Sequence, residues 1–347
     1  MTSAMEGGGR YNRNASAQAA SAVFGLHHLA AAAATAPRGP GGTVTVVDYG
    51  ASQGRNSLRP VATAVDALRG RYGVSQQVWV FHADLADNDW TALFRTVDED
   101  PASYRRPGVF SAAVGRSHFE RLMPDATVGL GWSSIALHWL STVPGPLQGF
   151  WPAGGDADQQ AVWSRAAAED WARFLRLRSA EMLPGARLVV VVGAARGDGP
   201  TRGAGAERAM TELATGLRRL VRSGLLTQDE VDAMVVPAWY RTADEWRAPF
   251  ADSPLVLESL DLVDLGDPIW EQTQDTAGAR LGDYGATVAA ALRVSFGPAL
   301  LRAVDPARRA AVATALFDDH LARAVAGQPP EPWFAWRLAV LVVSRPA

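Results

Sequence analysis

Continuous apolar runs, bounded by polar or glycine-rich turns, dominate the hydrophobic pattern of this chain. Such runs indicate strands covered on both faces, because strands with one solvated face alternate apolar and polar residues. We predict seven strands: Thr43 to Val47, Gln77 to Ala83, Pro107 to Val114, Thr127 to Trp132, Ala186 to Val192, Pro254 to Val263 and Phe334 to Val343. The pattern favours a parallel sheet flanked by helices.

Helical patterns fill the intervals between these strands. Up to the fifth strand we predict helices over Ala15 to Ala34, Ser57 to Arg71, Ala86 to Glu99, Phe119 to Met123 and Gln159 to Met182. The later helices are predicted over Arg208 to Ser223, Gln228 to Met234, Ala286 to Val304 and Pro306 to Ala326. This alternation is typical of a doubly wound α/β fold, and the later helices would form a lid above the sheet.

Composition and charge narrow the classes of protein that fit this pattern. With 347 residues, 48% of them hydrophobic, the chain can bury a large core. With a formal net charge of -3, the chain lacks the excess of basic residues that is typical of proteins that bind nucleic acid or an anionic membrane. The apolar runs near Ala30 and Val190 fall short of the roughly 20 residues of a spanning helix. We therefore expect a soluble protein with no nucleic-acid and no membrane partner.

Several kinds of reactive site are excluded by residue type. The chain has no cysteine, so disulfides, thiol nucleophiles and cysteine metal ligands are ruled out. The histidines, including His27 and His28, show no paired metal-ligand spacing, and Ser133 and Ser134 lack a nucleophile elbow. The first residues, M-T-S-A-M-E-G-G-G, contain no basic segment followed by an apolar one, which favours a cytoplasmic location.

A predicted strand followed directly by a glycine-rich loop is the most informative local feature. Val44 to Asn56 reads V-T-V-V-D-Y-G-A-S-Q-G-R-N, so that Asp48 is followed by Gly50, Ser52 and Gly54. Glycine lets backbone approach a ligand where a Cβ would collide, and a carboxylate at a strand end can accept hydrogen bonds from ligand hydroxyl groups. A purely structural turn explains the glycines equally well.

Asp84 holds the corresponding place after the second strand, in V-W-V-F-H-A-D-L. A carboxylate there commonly binds the ribose hydroxyls of an adenosine, although its distance from the glycine loop exceeds the usual spacing of about 20 residues. A helix cap for the segment that follows is an equally good interpretation of Asp84.

These residues resemble the SABATH carboxyl methyltransferases, which use S-adenosylmethionine. The resemblance rests on five ordered motifs: G-G-G-R-Y-N-R-N-A-S-A-Q (Gly7 to Gln18), D-Y-G-A-S-Q-G-R-N (Asp48 to Asn56), D-L-A-D-N-D-W-T-A-L-F-R (Asp84 to Arg95), S-H-F-E-R-L-M-P (Ser117 to Pro124) and S-S-I-A-L-H-W-L-S-T-V-P (Ser133 to Pro144). A looser match follows in S-G-L-L-T-Q-D-E-V-D-A-M-V-V-P. We expect a bacterial-type member.

The resemblance implies a class I methyltransferase fold, a Rossmann-like seven-stranded sheet with an α-helical cap. Residues 1–195 would form the cofactor-binding core, and residues 253–266 and 333–347 would complete its sheet. Residues 196–252 and 267–332 would form the cap over the substrate. A homodimer is also expected from the family.

The resemblance assigns a set of residues to the cofactor. They are Tyr11, which would close over it; Asp48, Gly50 and Asn56 at its methionine end; Asp84 and Leu85 at the ribose and adenine; and Ser117 with His118 beside the adenine. Ser52 and Ser133 belong to the same motifs and are further candidates. Ala15 replaces a family serine, so either Ser16 substitutes for it or that contact is lost.

Gln18 and Trp139 match the pair that hydrogen-bonds the substrate carboxylate in the family. An amide and an indole N–H are neutral donors, which can orient an anion without trapping it. Ile135 replaces a pocket tyrosine and His118 replaces a phenylalanine, so the aromatic wall is altered. The other substrate-binding candidates are His138, Met210, Trp239, Leu292 and Trp336, of which His138 and Trp239 also fit ordinary packing roles.

The expected reaction is methyl transfer from S-adenosylmethionine, leaving S-adenosylhomocysteine, to a carboxylate of a small hydrophobic, for instance aromatic, acid. An acid with a pKa near 4 is ionised at neutral pH, so no general base is needed. Three alternatives stay open: N-methylation of a heterocycle, a non-catalytic cofactor-binding protein, and a nicotinamide-dependent dehydrogenase, which would leave the later motifs unexplained.

Overall fold

A seven-stranded sheet forms the centre of the computed structural model, which describes residues 4–197, 203, 205–275, 281–327 and 331–347. Its strands are β1 (Val44–Tyr49), β2 (Val78–Asp84), β3 (Val109–Gly115), β4 (Val128–Ser134), β5 (Met182–Gly193), β6 (Val256–Leu265) and β7 (Trp336–Ser344). Their order is β3-β2-β1-β4-β5-β7-β6. All seven predicted strands are confirmed. The parallel expectation holds for the first five, whereas β7 runs antiparallel to both β5 and β6.

The helices of the described residues pack on both faces of the sheet and above it. They are α1 (Arg10–Asn14), α2 (Ser16–Ala22), α3 (Leu26–Ala34), α4 (Arg55–Tyr72), α5 (Trp90–Glu99), α6 (Ala157–Glu181), α7 (Glu207–Arg222), α8 (Gln228–Asp232), α9 (Ala243–Arg247), α10 (Pro268–Asp275), α11 (Leu281–Leu300), α12 (Arg309–Ala313) and α13 (Ala322–Ala326). A π-helical segment, Thr314–Leu321, joins α12 to α13. The short helices α1, α9 and α10 were not predicted from the sequence.

The predicted helix from Phe119 to Met123 is wrong, because this segment forms turns. Its backbone groups bond to α6 instead of to each other. The N–H of Leu122 donates to the Glu181 carboxylate at 2.7 Å, and Arg178 donates to two neighbouring carbonyl groups at 2.8 Å. Pro124 adds to the effect, since a residue before proline is disfavoured in the helical region.

Separate hydrophobic clusters lie on the two faces of the sheet and in the cap. Leu29 and Leu58 of α3 and α4 pack on one face, and Trp171 and Phe174 of α6 pack on the other. The cap cluster is built mainly from α7, α11 and the segment after α11. These layers agree with the predicted fold class, and the exact division into core and cap residues stays a prediction.

One described helix is long and apolar enough to cross a membrane by length and composition. It spans Asp283–Ala303, with a mean hydropathy of 1.2, and 67% of its apolar window is buried inside the protein. Its buried side packs in the cap cluster. A core helix has the same properties, so the feature is explained by the fold.

Candidate active site

The sheet reverses its strand order between β1 and β4, and the loops after these strands meet at that point. Gly50 has a φ of +90°, and a Cβ added to it would lie 2.3 Å from the Cβ of Ala136. Ile135 has a φ of +51°, which a β-branched residue rarely adopts, and its N–H donates to the Val191 carbonyl at 2.7 Å. The two loops therefore touch at one wall of a cavity that both of them line.

Asp84 ends β2 at the same cavity. Its two carboxylate oxygens accept the backbone N–H groups of Ser52 and Leu85 at 2.7 and 2.8 Å. Burial raises the pKa of Asp84 to about 6, although these two hydrogen bonds act in the opposite direction. Among the described residues no cation pairs with it. The helix-cap role belongs to Asp89, whose carboxylate accepts the first-turn N–H of α5.

The N-terminal segment 4–15, here called the strap, covers the cavity from the side of the glycine loop. The Asn12 amide donates to a backbone carbonyl of that loop at 2.8 Å. The N–H of Glu6 donates to the carbonyl of Val294 at 3.3 Å. This carbonyl is free within α11 because Pro298, four residues later, has no N–H. The strap is thus attached to both the glycine loop and the cap.

Gln18 and Trp139 line the same cavity. Gln18 is 8% exposed, and its Nε2 donates to the hydroxyl of Ser295 at 3.1 Å. Trp139 is half-buried, and its indole N–H has no acceptor among the described residues. The predicted site residues that line the cavity are Tyr11, Gln18, Gly50, Ser52, Asp84, Leu85, Ser117, His118, Ile135, His138, Trp139, Leu292 and Trp336.

Asp48 and Ser133, two predicted cofactor residues, lie behind the cavity wall rather than in it. The carboxylate of Asp48, 3% exposed, accepts the hydroxyl proton of Ser57 and lies 3.0 Å from Nδ1 of His82. The hydroxyl of Ser133 donates to the Tyr49 carbonyl at 2.8 Å. Both side chains are therefore engaged in joining β1 to its neighbours.

Four more predicted residues also lie outside the cavity. Ser16 and Asn56 line a neighbouring surface groove, where the Asn56 amide donates to a strap carbonyl. Met210 is buried in the cap cluster. Trp239 packs in a small cluster with Trp163, and its indole N–H donates to a carboxylate at 3.3 Å. These last two side chains are buried, at 4% and 2% exposed, away from the cavity.

His118 and His138 are neutral imidazoles in the cavity wall. The pKa of each is lowered to about 3, mainly by burial and in part by the nearby positive charge of Arg241. The His138 ring stacks on Tyr240 at a centroid distance of 5.1 Å. Neither histidine can serve as an efficient proton acceptor at neutral pH, since the operating pH lies far above its pKa.

Other cavity residues were missed from the sequence, among them Ser295, Phe296 and Tyr240. Ser295 could have been noticed in the sequence, because it is a polar residue between Val294 and Phe296 in an apolar helix. A buried hydroxyl in such a place needs a hydrogen-bond partner. Within the described ranges, no group of three or more His, Asp and Glu residues could hold a metal ion.

Comparisons with known proteins agree with this geometry. Residues 2–324 match the family model described as SAM-dependent carboxyl methyltransferase. Salicylate carboxymethyltransferase from Clarkia breweri is 30% identical over 285 residues, which are 75% of this chain and 76% of that protein. Gibberellic acid methyltransferase 1 from Arabidopsis thaliana is 27% identical over 222 residues, 58% of this chain and 59% of that protein.

The chain thus spans little more than half the length of several curated relatives that it matches. A solved structure, described as loganic acid methyltransferase with SAH, shares the fold with a TM-score of 0.79, 18% identity and coverage of 99% of both chains. Because the family model covers residues 2–324 of 347, the chain belongs to the S-adenosylmethionine-dependent carboxyl methyltransferases, the SABATH family.

Proposed function

We propose that the protein methylates the carboxylate of a small hydrophobic acid, with S-adenosylmethionine as the donor and a methyl ester as the product. The observation that carries the proposal is the shared cavity, in which the neutral donors Gln18 and Trp139 line the same space as the glycine loop and Asp84. Relatives named for carboxyl methylation of salicylate and farnesoic acid support the same reaction class.

The strand-end side of the cavity fits an adenosine-containing cofactor. The Asp84 carboxylate is half-buried, lacks a cation partner among the described residues, and keeps lone pairs after accepting two backbone N–H groups. Ribose hydroxyls are donors that would satisfy them. Gly50 has no Cβ to collide with Ala136, which lets the glycine loop lie against the loop after β4 at this side of the cavity. We assign Asp84, Leu85, Ser117 and His118 to the adenosine and Tyr11 to the lid over it.

S-adenosylmethionine, when bound, supplies the methyl group, and the chain itself has to orient the acid. Gln18 and Trp139 would each donate one N–H to the carboxylate and so fix the direction of its oxygens. Orientation of this kind can contribute about 7 to 11 kcal/mol of barrier reduction. The apolar residues Ile135, Leu292 and Trp336 would hold the body of the acid and exclude water, which strengthens charge interactions inside the cavity.

No proton has to be removed from an acid with a pKa near 4. This agrees with a cavity wall whose histidines are too weakly basic to act at neutral pH. Methylation of a heterocyclic N–H would require a proton acceptor, and the low pKa of His138 argues against that alternative.

The test is an assay with labelled S-adenosylmethionine and a panel of carboxylic acids and nitrogen heterocycles. Gln18→Ala and Trp139→Phe should each lower kcat/KM for the acid about 10- to 100-fold, because misorientation of a reactant is costly. Gln160→Ala and Trp90→Phe, which lie outside the cavity, serve as matched controls. Unchanged kinetics in both cavity variants would defeat the assignment.

The product distinguishes the alternatives, since a methyl ester is hydrolysed by mild base and an N-methyl group is not. Binding of S-adenosylhomocysteine without turnover of any acid would instead favour a non-catalytic protein. We also propose, from the family resemblance and the sequence, a cytoplasmic homodimer. Sedimentation at several protein concentrations tests its assembly.

A further inference from the structure

Ser295 places a hydroxyl group at the proposed acid-binding side of the cavity, between Val294 and Phe296 of α11. The residue is 8% exposed. Its Oγ donates to the carbonyl of Ala291, one turn earlier, at 2.9 Å. The same oxygen accepts the Nε2 N–H of Gln18 at 3.1 Å. One hydroxyl therefore connects the cap helix to a residue of the proposed acid site.

The direction of these two hydrogen bonds fixes the orientation of the Gln18 side-chain amide. A hydroxyl has a single proton, and this proton is donated to Ala291. Towards Gln18, Ser295 can then only accept, so the amide has to present its nitrogen to the hydroxyl rather than its carbonyl oxygen. Oε1 of Gln18 is enclosed and has no partner among the described residues.

This arrangement leaves a donor for the ligand. The amide nitrogen carries two N–H groups, and Ser295 takes one of them. The second N–H of Gln18 and the indole N–H of Trp139 are then both available in the cavity, with no acceptor among the described residues. Two donors suit a ligand that presents acceptors only, and an ionised carboxylate is such a ligand.

We propose that Ser295 is a positioning residue that holds the Gln18 amide with an N–H towards the substrate carboxylate. The inference rests on the proposed function. Without the hydroxyl, the terminal amide torsion, which is broad and roughly two-fold, would let the carbonyl oxygen face the anion. The site would then select acids less well.

The experiment is a double-mutant cycle with Ser295→Ala and Gln18→Ala. Both kcat/KM for the acid and the affinity of the protein–S-adenosylhomocysteine complex for benzoate, salicylate and indole-3-acetate are measured. Ser295→Ala should lower both about tenfold in the wild-type background, the size expected for one hydrogen bond that orients a charged ligand. In the Gln18→Ala background the same substitution should change them less than about twofold, because the residue acts through Gln18.

Two further variants separate positioning from a structural role. Ser295→Thr keeps a hydroxyl that can donate to the same carbonyl, and it should restore both values to within about threefold of the wild type. Thr287→Ala removes a similar hydroxyl bond from the exposed side of α11 and should leave them unchanged. Affinity for S-adenosylhomocysteine should be the same in all variants.

An equal loss from Ser295→Ala in both backgrounds, or no loss in either, overturns the inference. A wild-type protein that binds these acids without methylating them contradicts the proposed function alone, and the cycle is then decided on the affinities. A wild-type protein that neither binds nor methylates any of the acids overturns both.

Discussion

Two carboxylates end neighbouring parallel strands, yet they have different surroundings. Asp48 at the end of β1 is closed in by Ser57 and His82, and its carboxylate completes a hydrogen-bonded link between β1, β2 and α4. Asp84 at the end of β2 accepts only backbone N–H groups and faces the cavity. Residue type and strand position are therefore not enough to assign a ligand contact, because only one of the two carboxylates lines the cavity.

The largest expected effect that tests this comparison is on folding. Asp48→Ala leaves the buried Ser57 hydroxyl and His82 imidazole without their acceptor, and each unsatisfied group costs about 1 to 3 kcal/mol. We expect the free energy of unfolding in urea to fall by about 3 kcal/mol. The affinity of the folded protein for S-adenosylhomocysteine should change much less. Unchanged stability with lost affinity would instead make Asp48 a cofactor contact, as the family resemblance implied.

Asp84→Asn should act mainly on cofactor affinity and only weakly on stability. Replacement of an ionised acceptor by a neutral amide removes charge-assisted hydrogen bonds to the ribose, and we expect affinity for S-adenosylhomocysteine to fall about 100-fold in calorimetric titration. Stability without ligand should fall by only about 1 kcal/mol, because one of the two backbone N–H groups loses its acceptor while a partly desolvated charge is removed. Asp87→Asn, an exposed neighbour with the same change of charge, is the control. Equal effects of the two substitutions would refute a direct contact by Asp84.

The smallest effect is the dependence of cofactor affinity on pH. With a pKa of about 6, Asp84 is mostly ionised at pH 7 and mostly protonated at pH 5. Since the ionised form is the better acceptor for ribose hydroxyls, affinity for S-adenosylhomocysteine should fall about tenfold from pH 7 to pH 5. The Asp84→Asn protein should lose this dependence. A wild-type profile that is flat over this range would mean that Asp84 does not bind the cofactor through its ionised form.

The strands were predictable because a strand covered on both faces leaves a local signature, the continuous apolar run. The helix expected from Phe119 to Met123 failed for a non-local reason. Its backbone groups are satisfied by Arg178 and Glu181 of a helix that begins more than thirty residues later. The hydrophobic pattern of a short segment does not indicate hydrogen-bond partners that lie far away in the sequence.

The residues of the candidate site also divide into those that the sequence predicted and those that depend on distant contacts. Gln18 and Trp139 could be named through their motifs, and both line the cavity. Of the candidates in the carboxyl half, Leu292 and Trp336 also line the cavity, whereas Met210 is buried in the cap cluster. Trp239, which also fitted a packing role, packs against Trp163. Ser295 was missed, because its bond to Gln18 joins positions 277 residues apart.

Apolar runs and motifs in the chain were sufficient to predict the seven strands, the fold class and the family, and most of the predicted site residues line the cavity. The folded arrangement settled which strand-end carboxylate lines the cavity and which partner the Gln18 amide contacts. The physical reason is that hydrogen bonding and burial of a side chain depend on groups brought near it from distant parts of the chain. A linear pattern can indicate that a polar residue needs a partner, and the folded chain supplies that partner.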